Sequence, residues 1–232
     1  SVLIFAPAPA QAETLIDYIV RFPQAQNHYA EVELRAATDG VDELELMIPV
    51  WTPGSYLIRE YARHIEHIEA HDGDGTTLSL HKPEKNRWTV TAGGAQQVVV
   101  NYRLYCREMS VRSNWVDGDF ALINGAAAFV TPVAARKQKH RVTLELPVEW
   151  KTSVSSMVST SKKTPHSYVA ATYDELVDSP IVCGNPAVYS FKVGGVEHQL
   201  VNVGEGGVWD GPKSAADVER LVKEHHQMWG IV

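Results

Sequence analysis

Three histidines close together, His64, His67 and His71, are the first residues in this chain whose type and spacing could do chemistry. Imidazole is the commonest protein ligand for zinc. At i, i+3 and i+7 the three would share one face of a helix. In a strand, His64 and His67 would point to opposite faces. The surrounding sequence reads as strand, which favours exposed strand histidines over a metal site. Glu224-His225-His226 is a second zinc-like cluster. It is not HExxH, in which two histidines one helical turn apart hold zinc and the glutamate acts as base. His225 extends an apolar helical stripe and reads as a half-buried packing residue. Gly206 to Ser214, GGVWDGPKS, comes near a phosphate loop. That loop needs a lysine directly after its second glycine, but Pro212 intervenes and also removes a backbone N–H. A turn leading into a capped helix explains the segment better. Asp72-Gly73-Asp74-Gly75 lacks the remaining acidic positions of a calcium loop and reads as a hairpin turn. There is no GxSxG elbow and no evident Cys/His pairing.

The most unusual segment is Trp51 to Ile65, WTPGSYLIREYARHI. Pro53-Gly54 sets a tight turn directly after a strand. Trp51, Tyr56 and Tyr61 flank it, with Arg59 and Arg63 nearby. One reading is structural: the aromatics pack and the arginines pair with carboxylates. The other is a recognition surface at a sheet edge or domain seam, built from Trp51, Tyr56, Arg59 and Arg63. Both stand at this point. No residue presents itself as catalytic and no residue as a metal ligand.

These residues must be carried by strands. His28 to Arg35 alternates, with Tyr29, Glu31, Glu33 and Arg35 on one face and His28, Ala30, Val32 and Leu34 on the other. Leu15 to Phe22 alternates poorly but is rich in Ile, Val, Tyr and Phe. Leu44, Leu46 and Ile48, then Arg87 to Thr91, Gln97 to Tyr105 and Arg141 to Leu146 add further strands. Asp39-Gly40, Asp72 to Gly75 and Gly93-Gly94 punctuate them. Many short strands at this spacing predict a mainly β chain with an antiparallel, sandwich-like domain. With 232 residues, 44% hydrophobic and 21% charged, the chain can bury a sizeable core. Its net charge of -7 argues against a nucleic-acid partner, which calls for a basic face. No apolar run is long enough to cross a membrane. Cys106 and Cys183 are too few for a disulfide scaffold, and whether they are bridged stays open.

The character changes near Tyr173. Residues 14–172 read as the β-domain, and 173–232 as the incomplete start of a second, α/β unit. Tyr173 to Pro180, YDELVDSP, is acidic and ends in a breaker, as a join would. Ala187 to Val193 and Glu197 to Val203 flank Gly194-Gly195, a hairpin signal. A helix follows, with Ser214 as its expected cap, Asp217 in a capping-box-like position, and Val218, Leu221 and Val222 as its apolar stripe. Residues 1–13 have the small-residue ending of a secretory leader, at Ala10-Gln11-Ala12, but lack its basic opening. Periplasmic or secreted on one reading and cytoplasmic on the other, the location stays open.

The stretch WTPGSYLIREYARHI resembles the signature of the glycyl aminopeptidase family of zinc metallopeptidases. YDELVDSP is similar to the join where that family's catalytic domain begins, and FKVGGVEHQLVNVGE with the following helix looks like that domain's opening strands and first helix. The resemblance runs from about Thr14 to the end. It implies an N-terminal β-domain, then a thermolysin-like domain carrying HExxH and a further glutamate ligand, then a PDZ domain. Zinc in the full-length protein would polarise the peptide carbonyl and activate water. None of those residues falls in this chain, so no catalytic role carries over and the fragment alone is expected to be inactive. Gly194-Gly195-Val196-Glu197-His198 imitates the family's glycine-rich substrate strand. It precedes the helix instead of following it, so a hairpin is favoured. On this reading the partners are a peptide substrate and the chain's own downstream domains. The competing readings are a stand-alone β-sandwich module that binds carbohydrate or protein, and a self-contained hydrolase, for which no nucleophile, base or metal set is found.

Overall fold

The computed structural model describes residues 15–52, 57–161 and 164–230. The leader-like residues 1–13 and the Pro53-Gly54 turn with Tyr56 lie outside them. In chain order the elements are β1 (Leu15–Arg21), β2 (Tyr29–Ala37), β3 (Glu43–Met47), β4 (Ile65–Asp72), β5 (Thr77–Glu84), β6 (Arg87–Thr91), β7 (Gln97–Tyr105), β8 (Trp115–Val116), β9 (Ala121–Ile123), α1 (Gly125–Ala128), β10 (Thr131–Pro132), β11 (Lys139–Glu145), β12 (Thr152–Ser155), β13 (Val158–Ser161), β14 (Thr164–Ala170), α2 (Tyr173–Val177), β15 (Ile181–Gly184), β16 (Ala187–Val193), β17 (Val196–Asn202) and α3 (Gly211–Trp229).

Among the described residues one long sheet runs β10-β3-β6-β5-β4-β7-β2-β1-β11-β14-β13. A four-stranded sheet, β12-β15-β9-β8, and the β16–β17 hairpin complete the strands. The pairing is antiparallel except between β1 and β11, which run parallel. The expected all-antiparallel order therefore holds everywhere but at that pair. Register is set by burial, because a slip of one residue would turn each inner face outward. Tyr18 lies opposite Leu34 and Val142, and Val20 opposite Val32 and Leu144. Leu34 in turn faces Val100, and Val32 faces Tyr102. All of these are buried and join Leu44, Leu46, Trp88 and Val90 from β3 and β6 in one core. The strands of β3 and β6 thus close over those of β1, β2 and β7 in a sandwich-like body.

The end of α1 and the residues after it, Ala128-Phe129-Val130, cross this core fully buried. Buried carbonyls need partners, and three tyrosines supply them. The Tyr102 hydroxyl donates to Ala128 O at 2.7 Å, Tyr173 to Phe129 O at 2.6 Å and Tyr18 to Val130 O at 3.0 Å. The Tyr102 oxygen also accepts from Val130 N at 3.1 Å. Each tyrosine fills the core with its ring while its hydroxyl satisfies the loop.

Tyr173 was expected to open the second unit. Instead it is buried in the first, together with Leu176 of α2 and Ile181 and Cys183 of β15. β15 pairs with β9 and β12, so this segment completes the β-body as far as Gly184. The acidic run at Asp174 and Glu175 is an N-terminal helical turn, not a linker. Thr172 Oγ1 accepts from Glu175 N at 3.2 Å while the Glu175 carboxylate accepts from Ala171 N, one residue before the cap, at 2.7 Å, a variant of the capping box, in which that carboxylate takes the cap's own N–H.

The hairpin forms at Gly194-Gly195, whose φ values of 56° and 78° suit the tight turn that matches strand twist. Asp72 to Gly75 likewise turns β4 into β5, with Asp72 Oδ1 accepting from Asp74 N and Thr76 N. Helix α3 starts earlier than expected. Asp210, not Ser214, is its cap and accepts from Lys213 N at 2.9 Å, with Pro212 in the first turn, where no intrahelical N–H is needed. The expected stripe is only partly covered. Leu221 and His225 are exposed, as are Met228 and Trp229, while Ala215 and Gly211 make the buried contact. The cysteines are both buried free thiols. Among the described residues no helix is long and apolar enough to cross a membrane.

Candidate functional site

The loop after β3 returns to the body at Arg59, whose N–H donates to Val50 O at 2.5 Å. This bond ties together the ends of the Pro-Gly loop. A short 3-10 turn, Tyr61–His64, follows and buries Tyr61 and Ala62. Facing it is the connection from β7 to β8. There Ser113 Oγ donates to Glu108 O at 2.8 Å, and Arg112 N donates to Ser110 Oγ at 3.2 Å. Buried Asn114 fixes this connection to the body. Its amide donates to Ala127 O at 3.0 Å and its carbonyl accepts from Asn124 N at 2.7 Å.

Between the two segments lies a cleft of about 390 Å³ lined by Leu57, Ile58, Arg59, Glu60, Tyr61, Arg63, His64, Glu108, Arg112 and Ser113. Of the residues singled out from sequence, Arg59 and Arg63 meet here. Trp51 is half exposed beside the loop and does not line the cleft. Tyr56 lies outside the described residues. Tyr61 and His64, also noted from sequence, line the cleft as well, and Glu108 and Arg112 are additions. Tyr61 and His64 stand within the unusual segment itself, whereas nothing in the sequence marks Glu108 or Arg112 as its neighbours.

The charges in the cleft are unequally matched. Arg63 pairs with Glu108 at 3.6 Å and its Nε donates to His64 Nε2 at 3.1 Å. Burial first, then the Arg63 charge, hold His64 below the usual histidine range, so it is a neutral acceptor at pH 7. Glu60 is taken by Lys85 at 2.5 Å. Among the described residues Arg59 and Arg112 make no ion pair. Arg59 Nε and the Tyr61 hydroxyl are both buried and have no hydrogen-bond partner among the described residues. Burial pushes the Tyr61 hydroxyl above its ordinary range; Thr52 approaches and opposes that rise, but not at hydrogen-bonding geometry.

The other candidates separate. His67 is exposed, with φ 51°, at a bulge between Glu66 and Glu69. His71 pairs with Glu69 at 3.4 Å. Gly206 to Ser214 is a turn into the capped start of α3. Among the described residues no three His, Cys, Asp or Glu converge as a metal-ligand set. These side chains therefore do not fit a zinc ion, and no chemical step through one is derived for them.

The described residues thus form a β-rich body that carries an arginine-lined cleft. Residues 17–185 match the family described as the Peptidase M61 N-terminal domain, and the chain belongs to that family. The matched span ends one residue after β15, where the β-body closes. Among solved structures, the chain is similar to an aminopeptidase N family protein from Idiomarina loihiensis, with 26% identity and a TM-score of 0.81. That match covers 93% of this chain and 37% of the other, so this chain spans little more than a third of that relative. Weaker likenesses are to an M1 zinc metallopeptidase from Deinococcus radiodurans and to yeast LTA4 hydrolase in complex with bestatin. The first has 10% identity, a TM-score of 0.44 and coverage of 88% of this chain and 51% of that one. The second has 10% identity, a TM-score of 0.39 and coverage of 77% and 29%. Neither carries an argument about this chain. No curated protein matches it in sequence.

Proposed function

We propose that this chain is the amino-terminal part of a zinc aminopeptidase of the glycyl aminopeptidase type, and that residues 51–63 shape the seam between the β-domain and a thermolysin-like catalytic domain. The observation that carries this is membership of the M61 N-terminal domain family over residues 17–185. Three features support it. The chain spans 37% of a relative from an aminopeptidase family, which leaves room there for a catalytic domain. Leu57 and Ile58 line the cleft and are exposed, and Trp51, Met109 and Val111, near its lining residues in sequence, are exposed as well; exposed apolar side chains, where they gather, mark interaction surfaces. Arginine and aromatic residues are the types enriched at such interfaces. On this reading HExxH and its zinc belong to the catalytic domain, a PDZ domain follows, and the isolated chain is inactive.

The test uses the full-length enzyme. Tyr56→Phe and Arg59→Ala should each lower peptide turnover by about tenfold, roughly 1.4 kcal/mol of transition-state stabilisation, while the melting temperature moves little. Unchanged turnover in both, with a large loss of stability, would leave the segment a purely structural role.

A further inference from the structure

We infer that the cleft between Arg59 and Arg112 is a binding site for a carboxylate, supplied by the free C-terminus of a short peptide. This rests on the peptidase reading above and names the chemistry of the same site. Four observations on the cleft converge. Tyr61 is 4% exposed and its hydroxyl has no partner. A buried hydroxyl without a partner is uncommon in folded proteins and calls for an explanation; this one has almost no exposed surface, so it stands just behind the cleft wall. Arg59 Nε is equally orphaned, and a guanidinium presents its donors as a planar fork matched to a carboxylate.

Charge decides the sign of the ligand. Three arginines, Arg59, Arg63 and Arg112, line the cleft against two carboxylates. Glu60 is already taken by Lys85, and Glu108 faces Arg63 at 3.6 Å. Arg59 and Arg112 remain uncompensated, so an anion is attracted and a cation is not. His64 is a neutral acceptor and adds no further charge.

Shape and polarity narrow the class. Leu57 and Ile58 line the same cleft yet are 64% and 69% exposed, giving the cationic interior an apolar lip. A ligand that is anionic at one end and carries side chains behind it matches both parts. The volume of about 390 Å³ suits one or two residues of a peptide and falls in the range of small-ligand pockets. Inside, the carboxylate would accept from the Arg59 and Arg112 guanidinium groups, and would reach the buried Tyr61 hydroxyl once that side chain turns toward the cleft. The peptide's remaining length would leave past Leu57 and Ile58.

The 232-residue chain itself tests this, by titration with triglycine, triglycine amide and sodium acetate, followed by amide and arginine side-chain NMR shifts. Triglycine should give saturable shifts at Arg59, Tyr61 and Arg112. Its amide should bind at least tenfold more weakly. Tyr61→Phe should weaken triglycine three- to tenfold and Arg112→Gln about tenfold, with unfolding midpoints close to that of the parent chain. Acetate matching triglycine would keep the carboxylate and remove the peptide as its source. Equal binding of triglycine and its amide, or no shifts in the cleft with any of the three, would overturn the inference. If the cleft fails this test while Arg59→Ala still lowers turnover in the full-length enzyme, the seam survives and only its ligand is wrong.

Discussion

Protonating His140 should destabilise this domain. Its side chain is fully buried. Nδ1 lies 2.9 Å from Gln138 O and Nε2 lies 3.1 Å from Thr131 Oγ1. A carbonyl only accepts, so Nδ1 carries the proton and Nε2 accepts from the threonine hydroxyl. Tyr18 and Tyr173 flank the ring, with centroids at 6.0 and 5.5 Å. Among the described residues no carboxylate is bonded to either ring nitrogen. Burial therefore lowers its pKa to about 4, with the Gln138 carbonyl opposing that in part. Unfolding returns it to about 6.5. Between those values the unfolded chain binds a proton that the folded chain refuses, so stability falls as pH drops from 6.5 and the loss levels off below 4. At about 1.4 kcal/mol per pH unit the domain loses about 2 kcal/mol by pH 5 and about 3 kcal/mol in all. Urea unfolding from pH 7.5 to 4, for the parent chain and for His140→Gln, isolates this contribution from the carboxylates common to both. The difference in stability between the two should shrink on acidification by that amount. Parallel curves over the whole range would refute the reasoning.

Gly125→Ala should destabilise by about 1–3 kcal/mol or more, because its Cβ would lie 2.5 Å from Leu176 O and 2.8 Å from Val177 Cα, both backbone atoms; an unshifted urea midpoint would show that α1 and α2 can part freely. Burial pushes the Cys106 thiol up to about 12 and Cys183 higher still, so neither should react with a thiol reagent at pH 8 until the chain unfolds, whereupon both should. Rapid labelling of the native chain would contradict the burial of β7's end and β15.

Much of the β-body was legible because a half-buried strand writes its two faces into a period of two. β2 is the clear case, with Ala30, Val32 and Leu34 inside and Glu31 and Arg35 outside. β1 was harder. Its burial alternates perfectly, yet Leu15 and Ile19 place apolar residues on the outer face and blur the pattern. The α3 cap was misplaced because Ser214 and Asp217 mimic a capping box, while Asp210 before Gly211-Pro212 provides the hydrogen bond actually made. Near Tyr173 the composition is ambiguous, because an acidic helical turn and a linker are written with the same residues. The Tyr173 hydroxyl on Phe129 O, 44 residues away in sequence, and the pairing of β15 with β9 and β12 tie the segment to the core.

By itself the sequence determined the local periodicities, the turns at Asp72 to Gly75 and Gly194-Gly195, and the one segment, Trp51 to Ile65, distinctive enough to carry a family resemblance. These are properties of neighbouring residues, and neighbouring residues suffice to specify them. The tertiary structure decided the rest. It ran β1 parallel to β11, set three tyrosines on one buried loop, and placed Arg112 opposite Arg59 across a cleft. Each of these depends on which distant strands share a face. That choice is made by the total apolar surface buried when the sheets close, a quantity that belongs to no single stretch of chain.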